Sequence, residues 1–257
     1  MVVLIDALSL LYRTHGGEGG FGGAVDRLIA AEQANGAVSV AIALDGPGPT
    51  RRRRQFPAYK AGRPPTPDRI RAAITTIPAQ AAARGIPVHQ VDGEEADDVL
   101  ATLARLVPGP ARIVTNDTDL HQLVDPRVTV RTIDGRIVDA AALQARFPFP
   151  PSLLPTFKAM IGDPADNLPG ITGLGRPTAS RLCRDHGDAA AILAALDAGR
   201  IGNPRVRPIL DAARDALVLQ ETLGRLDPDL PLSPPWTGSP IGGLPTDGTR
   251  TGRAEGT

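Results

Sequence analysis

The sequence predicts an α/β protein in which a central parallel sheet is flanked by helices and followed by an all-helical region. Short runs of β-branched residues alternate with segments of helical periodicity, and this alternation is typical of parallel sheets. From about residue 139 onwards the apolar spacing is helical throughout. Acidic residues follow three of the predicted strands directly, at the end of a parallel sheet where ligands usually bind.

The predicted elements follow in a regular order. Strands are indicated by short apolar runs at residues 2–5, 38–44, 88–91, 112–115 and 128–133. Helices are indicated by apolar residues three and four positions apart, at residues 24–34, 68–84 and 95–106, with a shorter one at 117–123. A glycine-rich loop is predicted at 16–23, and an exposed excursion rich in Pro, Gly and Arg at 46–67. The organisation is thus a core at 1–150, a helical region at 151–232 and a disordered tail at 233–257.

Composition favours an intracellular globular protein. The chain has 257 residues, 42% of them hydrophobic, and a formal net charge of zero. Its one cysteine, Cys183, excludes an internal disulfide framework and is expected to be a small core residue. The apolar start is interrupted by Asp6, and no stretch approaches the roughly 18 apolar residues of a membrane span. We therefore expect a cytoplasmic protein without membrane contact.

Nine acidic residues form the most informative pattern. Four follow predicted strands, three open the helix at 95–106, and two lie in a later loop. They are Asp6, Asp45, Asp117, Asp119, Glu95, Asp97, Asp98, Asp163 and Asp166. If the strands are parallel, these carboxylates meet at one edge, where like charges raise one another's pKa unless cations relieve them. Two divalent metals bound through oxygen are the simplest relief, and metal pairs about 4 Å apart recur in enzymes that cut phosphodiesters.

Each acidic group also has an ordinary explanation. A strand-end Asp can cap a turn or a helix, and acids in a first helical turn interact favourably with the helix dipole. The dipole accounts for one or two acids, not for three followed by an apolar stripe. The Asp117-x-Asp119 pair alone also occurs in phosphatases of the haloacid dehalogenase type. Because three strand ends carry the same residue type, we interpret the set as a functional site.

Basic and glycine-rich segments complement the acids. Arg51–Arg54 and the following Tyr59, Lys60 and Arg63 form a basic stretch that suits an anion clamp opposite the carboxylates, although an isolated basic run is often only a solvated loop. Tyr59 is a candidate for stacking on a base. A Gly-rich turn enters a helix at 170–179 and suits contact with a nucleic-acid backbone. The histidines show no metal-ligand spacing; they are His15, His89, His121 and His186.

Four segments carry a resemblance to a known family. They read GEEADDVLATLA at 93–104, TNDTDLHQLV at 115–124, MIGDPADNLPGITGLGRPTA at 160–179 and ALDGPGPTRRRRQFPAYKAGRPPTP at 43–67. Through them the chain resembles the bacterial and phage 5′ nuclease family, which includes the 5′→3′ exonuclease domain of DNA polymerase I and the flap endonucleases. The resemblance runs from about residue 2 to about residue 232.

The resemblance implies a PIN-like, mixed α/β sheet, a helical arch at about 46–67 and a C-terminal helix–two-turns–helix element that grips duplex DNA. It implies DNA with 5′ ends, flaps or branches as the partner, and two ions of Mg²⁺ or Mn²⁺ that activate water and stabilise the leaving oxygen. All nine acids match its ligand set, with Asp117 and Asp119 also catalytic. We assign Asp45, Glu95, Asp97, Asp98 and Asp117 to the first metal. We assign to the second metal Asp119, Asp163 and Asp166, and Asp6 has a supporting role at the site.

The resemblance also implies DNA-contacting residues. Lys60 and Arg63 match arch residues at the scissile phosphate, and the wider DNA-binding set is Arg13, Arg51, Arg54, Tyr59, Lys60, Arg63, Gly173, Gly175, Arg176 and Thr178. The family often holds a monovalent cation, here K⁺, at the duplex-gripping turn. Four positions depart from the family pattern, namely Ala7, Asn116, Thr118 and Pro177. Thr118 and Pro177 stand where the family usually has Lys, which puts substrate grip in question more than the metal site.

We therefore expect a stand-alone, monomeric 5′→3′ exonuclease or flap endonuclease, associated with the bacterial nucleoid during repair or replication. A non-catalytic DNA-junction binder and a related RNA-cutting nuclease remain alternatives, although the duplex-gripping turn favours DNA. A haloacid-dehalogenase-like phosphatase is disfavoured. That class needs a Lys well separated from the last acidic motif, whereas Lys158 lies five residues before Asp163 and Lys60 precedes both motifs.

Overall fold

Five parallel strands and one antiparallel edge strand form the central sheet in a computed structural model that describes residues 1–14 and 19–232. In chain order they are β1 (Val2–Asp6), β2 (Ser39–Ala43), β3 (Val88–His89), β4 (Ala111–Val114), β5 (Val128–Arg131) and β6 (Ile137–Val138). Their order across the sheet is β3-β2-β1-β4-β5-β6, and only β6 runs antiparallel to its neighbour. The predicted parallel sheet is confirmed for five strands. The two-residue β6 is too short to leave a periodic signal.

The helices cover both faces of the sheet. They are α1 (Ala7–Thr14), α2 (Gly20–Gln33), α3 (Arg51–Gln55), α4 (Asp68–Ala82), α5 (Ala96–Leu106), α6 (Ala140–Arg146), α7 (Leu154–Ile161), α8 (Arg176–His186), α9 (Ala189–Asp197), α10 (Val206–Ala212) and α11 (Arg214–Gly224). Helices α1, α2 and α4 pack on one face, and α5 with the C-terminal helices packs on the other. Alternation along β1 feeds both cores, because Leu4 joins one cluster while Val3 and Ile5 join the other. The predicted α/β sheet flanked by helices is confirmed.

Two local differences arise near the N-terminus. Helix α1 was not predicted, although Ala7, Leu10 and Leu11 bury one side of it against the sheet. Helix α2 already begins at Gly20, inside the predicted glycine-rich loop. Tertiary packing outweighs the poor helix propensity of glycine there, because the Gly22 amide donates to Gln80 Oε1 of α4 at 2.9 Å. The loop residues 15–18 lie outside the described part of the chain, as does the predicted tail at 233–257.

The excursion at 46–67 is less exposed than predicted. It contains the five-residue helix α3, whose N-cap Thr50 accepts a hydrogen bond from the Arg53 amide through its side chain. Arg52 and Tyr59 are each only 2% exposed. Their polar groups suggest surface positions, but each side chain forms buried hydrogen bonds with residues distant in sequence. The prediction of an exposed segment is therefore wrong for these two residues.

Cys183 in α8 is 1% exposed, and burial together with the nearby Glu221 carboxylate raises the pKa of its thiol to about 12. Because the thiolate is the reactive form, native protein at pH 8 should be alkylated by iodoacetamide at least about tenfold more slowly than protein unfolded in urea. Mass spectrometry of quenched samples measures both rates. Equal rates would show that the thiol is open to solvent.

None of the helices in the described part of the chain has the length and apolar character needed to cross a lipid bilayer.

Candidate active site

Five of the nine predicted acids line one cavity of about 370 Å³ at the carboxyl edge of the sheet. Two belong to strand ends, because Asp6 ends β1 and Asp45 comes two residues after β2. Asp117 lies in the loop after β4, while Glu95 is the N-cap of α5 and Asp97 lies in its first turn. The topology thus brings carboxylates from four separate chain segments to the same place, as the strand order predicts.

Hydrogen bonds fix the strand-end loops that carry these acids. Asp6 accepts from the Ser9 amide at 3.0 Å and from the Thr115 hydroxyl at 2.7 Å, which ties the end of β1 to the end of β4. Asp45 accepts from the Ala96 amide at 2.8 Å. These contacts engage both oxygens of Asp6 and one oxygen of Asp45, and they position both side chains, because buried acceptors need defined donors.

The acids repel one another. Burial, and then the carboxylates of Asp117 and Asp6, raise the pKa of Asp97 well above its usual value. Burial and Asp117 likewise raise the pKa of Asp119 to about 6, even though Lys158 opposes the shift. Clustered carboxylates whose pKa values are raised by one another indicate a site that favours added positive charge.

Besides Asp98, four of the acids already pair with cations of the protein itself. Lys60 Nζ lies 3.0 Å from the Glu95 carboxylate, and Arg63 Nη2 lies 2.8 Å from Asp166 Oδ1. Lys158 Nζ bridges Asp119 and Asp163, at 2.8 Å from the latter. With these pairs formed, no three His, Cys, Asp or Glu groups of the described residues are arranged to hold a metal ion. The Lys158 ammonium stands where a cation would join Asp119 to Asp163.

Asp98 has a different environment from the other predicted ligands. It is 0% exposed and does not line the cavity. Arg52 donates to both of its oxygens, with Nη2 to Oδ1 at 2.8 Å, and the Asp227 amide donates to Oδ1 at 2.8 Å. Arg52 continues to the backbone carbonyls of Leu223 at 2.6 Å and Arg225 at 3.0 Å. The Arg52–Asp98 pair therefore joins α3, α5 and the end of α11.

Tyr59 does not present a face for base stacking. Its ring is buried with Leu168 and Leu223, and its hydroxyl lies 3.1 Å from Glu95 Oε2 and 3.0 Å from Asp166 Oδ2. Burial and these two carboxylates raise the pKa of the phenol. The stacking prediction is wrong because the segment folds inward, and the hydroxyl donates to the acidic cluster instead.

The remaining predicted DNA-contacting residues fall into three places. Arg13 lines the acidic cavity together with Lys60 and Arg63. Arg51 pairs with Glu94 at 3.2 Å, and Arg54 donates to the Pro49 carbonyl at 2.7 Å, so both side chains have partners within the protein. Gly173, Gly175, Arg176 and Thr178 lie at the turn into α8, away from that cavity. Gly173 has φ +92°, a conformation that favours glycine.

Sequence reasoning missed three residues of the site. Tyr12 is 54% exposed on the wall of the acidic cavity, at the end of the unpredicted α1. Ser9 lies on the same wall. Lys158 faces Asp163 because α7 ends at Gly162, whose φ of +86° turns the chain back. The only available signal for Lys158 was that it is one of two lysines among 28 basic residues.

The site places the chain among α/β proteins that hold clustered carboxylates, faced by Lys and Arg, at the carboxyl edge of a parallel sheet. The chain belongs to the 5′-3′ exonuclease family. Residues 1–148 match the family's N-terminal resolvase-like domain, and residues 149–243 match its C-terminal SAM fold. The resemblance inferred from the four sequence segments is thereby confirmed.

Relatives are found among bacterial DNA polymerases. The thermostable DNA polymerase I of Thermus thermophilus is 34% identical over 245 residues, which cover 90% of this chain and 29% of that protein. DNA polymerase I of Pseudomonas aeruginosa is 36% identical over 212 residues, which cover 76% of this chain and 23% of that protein. The chain thus spans less than a third of the length of these relatives.

Solved structures share the fold. The T5 5′-exonuclease with bound zinc superposes with a TM-score of 0.70 at 18% identity, covering 87% of this chain and 88% of that one. The catalytic core of Rad2 in complex with a DNA substrate superposes with a TM-score of 0.56 at 16% identity, covering 89% and 79%. At these identities the likeness establishes the architecture alone.

Proposed function

We propose that the chain hydrolyses phosphodiester bonds of DNA that has a 5′ end, a flap or a branch, as a metal-dependent 5′→3′ exonuclease or flap endonuclease. The observation that carries the proposal is the meeting of Asp6, Asp45, Glu95, Asp97 and Asp117 in one cavity faced by Lys60, Arg63 and Arg13. Such a cavity offers acids to cations and cations to a phosphate. Membership of the 5′-3′ exonuclease family supports the same activity.

The carboxylates suit a pair of hard divalent cations such as Mg²⁺ or Mn²⁺, because these ions prefer oxygen ligands. The five cavity acids would hold one ion, and Asp119, Asp163 and Asp166 would hold the other in place of the Lys158 ammonium. Asp98 would support Arg52 instead, since its oxygens already accept three hydrogen bonds. When bound, such ions supply activation of water and stabilisation of the leaving oxygen. At the turn that contains Gly173 and Gly175, called the glycine turn below, we propose K⁺ beside the DNA backbone.

The protein's own groups position the DNA. Lys60 and Arg63 reach the cavity from the segment after α3 and would neutralise charge on the scissile phosphate. To do so, Lys60 would leave the Glu95 carboxylate and Arg63 would leave the Asp166 carboxylate, and both would bind the phosphate instead. The exposed ring of Tyr12 offers a stacking surface to a terminal base. Terminal nucleotides would unpair to reach the cavity, at a cost of a few kcal/mol.

The proposal is tested by incubating the purified chain with a 5′-flap DNA and with a matched single strand. Mg²⁺, Mn²⁺ or EDTA is present in parallel reactions. We expect release of the flap with either metal and no release in EDTA, because the carboxylates alone repel the phosphate. Product lengths on a gel show whether the cut lies at the junction or at the 5′ end. Cleavage that persists in EDTA would contradict the metal dependence.

A non-catalytic DNA-junction binder is the second candidate. The observation that favours it is the pairing of Glu95, Asp119, Asp163 and Asp166 with protein cations, which leaves fewer acids open to metals. Tight, structure-dependent binding of the flap DNA without cleavage in either metal would support this reading and exclude the nuclease.

A further inference from the structure

A second cavity, of about 260 Å³, lies beside the acidic cavity and shares no lining residue with it. Its walls come from the loop after β4, the end of α6, one side of α7 and the start of α8. On one side, Thr118 follows Asp117 of the acidic cavity. On the other, Arg176 follows the turn that contains Gly173 and Gly175. The second cavity therefore links the acidic cavity to the glycine turn.

Two arginines on this cavity carry charge that the described residues do not neutralise. Arg146 and Arg176 are both exposed, and neither forms a salt bridge or a side-chain hydrogen bond within residues 1–14 and 19–232. The guanidinium carbon of Arg146 lies 5.2 Å from the centroid of the Phe147 ring, and that of Arg176 lies 5.0 Å from the centroid of Phe157. Stacking on a ring orients the guanidinium plane and leaves N–H groups at its edge free to donate.

The rings beneath the two arginines form a single buried cluster. Phe147 and Phe157 have centroids 5.7 Å apart, and Phe149 lies 5.3 Å from each. All three rings are buried, so they hold both guanidinium groups over one rigid platform. The arginines are therefore positioned before any ligand arrives, which lowers the entropic cost of binding.

Negative charge on this cavity is already balanced. Asp163 is the one carboxylate among the described lining residues, and it pairs with Lys158, which lines the cavity as well. Arg146 and Arg176 thus leave the cavity with a net positive charge. A guanidinium fork matches the two free oxygens of a phosphodiester.

We propose that Arg146 and Arg176 bind a backbone phosphate of duplex DNA between the acidic cavity and the glycine turn. The proposal deepens the proposed function and rests on it. Its ligand is the phosphodiester itself, so the site fixes the register of the duplex without reading its sequence. Because the proposed function places the DNA backbone at the glycine turn, the position next to that turn favours the duplex over the flap strand as the source of the phosphate.

The test uses Arg146→Gln and Arg176→Gln, which remove the charge and keep the apolar stem on the aromatic ring. Affinity for a fluorescent duplex with a 5′ flap is measured by anisotropy in EDTA, from about 50 to 200 mM salt. We expect each variant to bind severalfold more weakly and the slope of log K against log salt to shrink by about one unit. The double variant should shrink it by about two units.

Arg127→Gln is the matched control. Arg127 directly precedes β5, so it lies at the amino ends of the parallel strands, and the acidic cavity lies at their carboxyl ends. It should change neither affinity nor slope. Unchanged slopes in both Arg146→Gln and Arg176→Gln would overturn the site. If the two variants lose as much affinity for a single strand without duplex as they lose for the flapped duplex, the assignment of the phosphate to the duplex is wrong. Wild-type cleavage of the flap in Mg²⁺, measured alongside, shows separately whether the proposed function holds.

Discussion

Replacing Asp117 by Asn or Ala should lower flap cleavage by about 10³-fold or more while leaving DNA binding intact. Asp117 lines the acidic cavity, forms no salt bridge in the described part of the chain and is the strongest like charge acting on Asp97. Losing a ligand to an activating cation removes several kcal/mol of transition-state stabilisation. DNA affinity should hold or rise, since the variant removes a charge that repels phosphate. Single-turnover cleavage and anisotropy on the same flap DNA measure the two effects.

Asp215→Asn is the control for charge removal, since Asp215 is exposed on α11 and does not line the acidic cavity. Its cleavage rate should match that of the unmodified chain. The Asn variant at 117 keeps an oxygen for the Asp119 amide, which now donates to Asp117 at 2.8 Å. If Asp117→Asn and Asp117→Ala both cut normally, the carboxylate has no part in the reaction.

Arg52→Gln should reduce the free energy of unfolding by about 3–5 kcal/mol, because it removes the guanidinium that donates to both oxygens of the buried Asp98 carboxylate and leaves only Arg51, 3.7 Å away, as a counterion. The two backbone carbonyls that Arg52 reaches would also lose their donors. Urea unfolding followed by circular dichroism measures the change. Cleavage should fall as well, since α3 leads directly into the segment that carries Lys60 and Arg63.

Arg53→Gln is the matched control, one residue along the same helix but exposed. Its effect should stay within about 0.5 kcal/mol, as for most surface substitutions. Asp98→Asn distinguishes the two roles considered for Asp98, namely metal ligand and buried partner of Arg52. A large loss of stability with unchanged metal affinity, measured by titration calorimetry, would establish the structural role. A loss of metal affinity with unchanged stability would restore Asp98 as a ligand.

The meeting of the acids was predictable because it needs only strand order and direction. Asp6, Asp45 and Asp117 follow three strands that lie side by side, and parallel strands place their carboxyl ends together. No knowledge of side-chain contacts is required. The same argument could not find α1, whose short apolar run reads equally as a continuation of the first strand.

Burial inside the segment at 46–67 could not be predicted from local sequence. The partners of Arg52 include Asp98 and the Leu223 carbonyl, 46 and 171 residues away in the chain. Those of Tyr59 include Asp166, 107 residues away. A run of Arg, Pro and Gly signals exposure locally, and only the folded chain, through α5 and the C-terminal region, supplies the contacts that bury Arg52 and Tyr59.

The larger hydrophobic cluster draws on both matched segments. Leu4, Leu100 and Ile113 from residues 1–148 share it with Leu182, Leu210 and Leu217 from residues 149–243. The two segments match separate domain models of the family, yet they are not independent as units of folding. Cutting the chain near residue 148 would expose apolar surface on both fragments, so neither half is expected to be a soluble building block for domain exchange. Nuclease chimaeras built from this chain should therefore transplant both segments together.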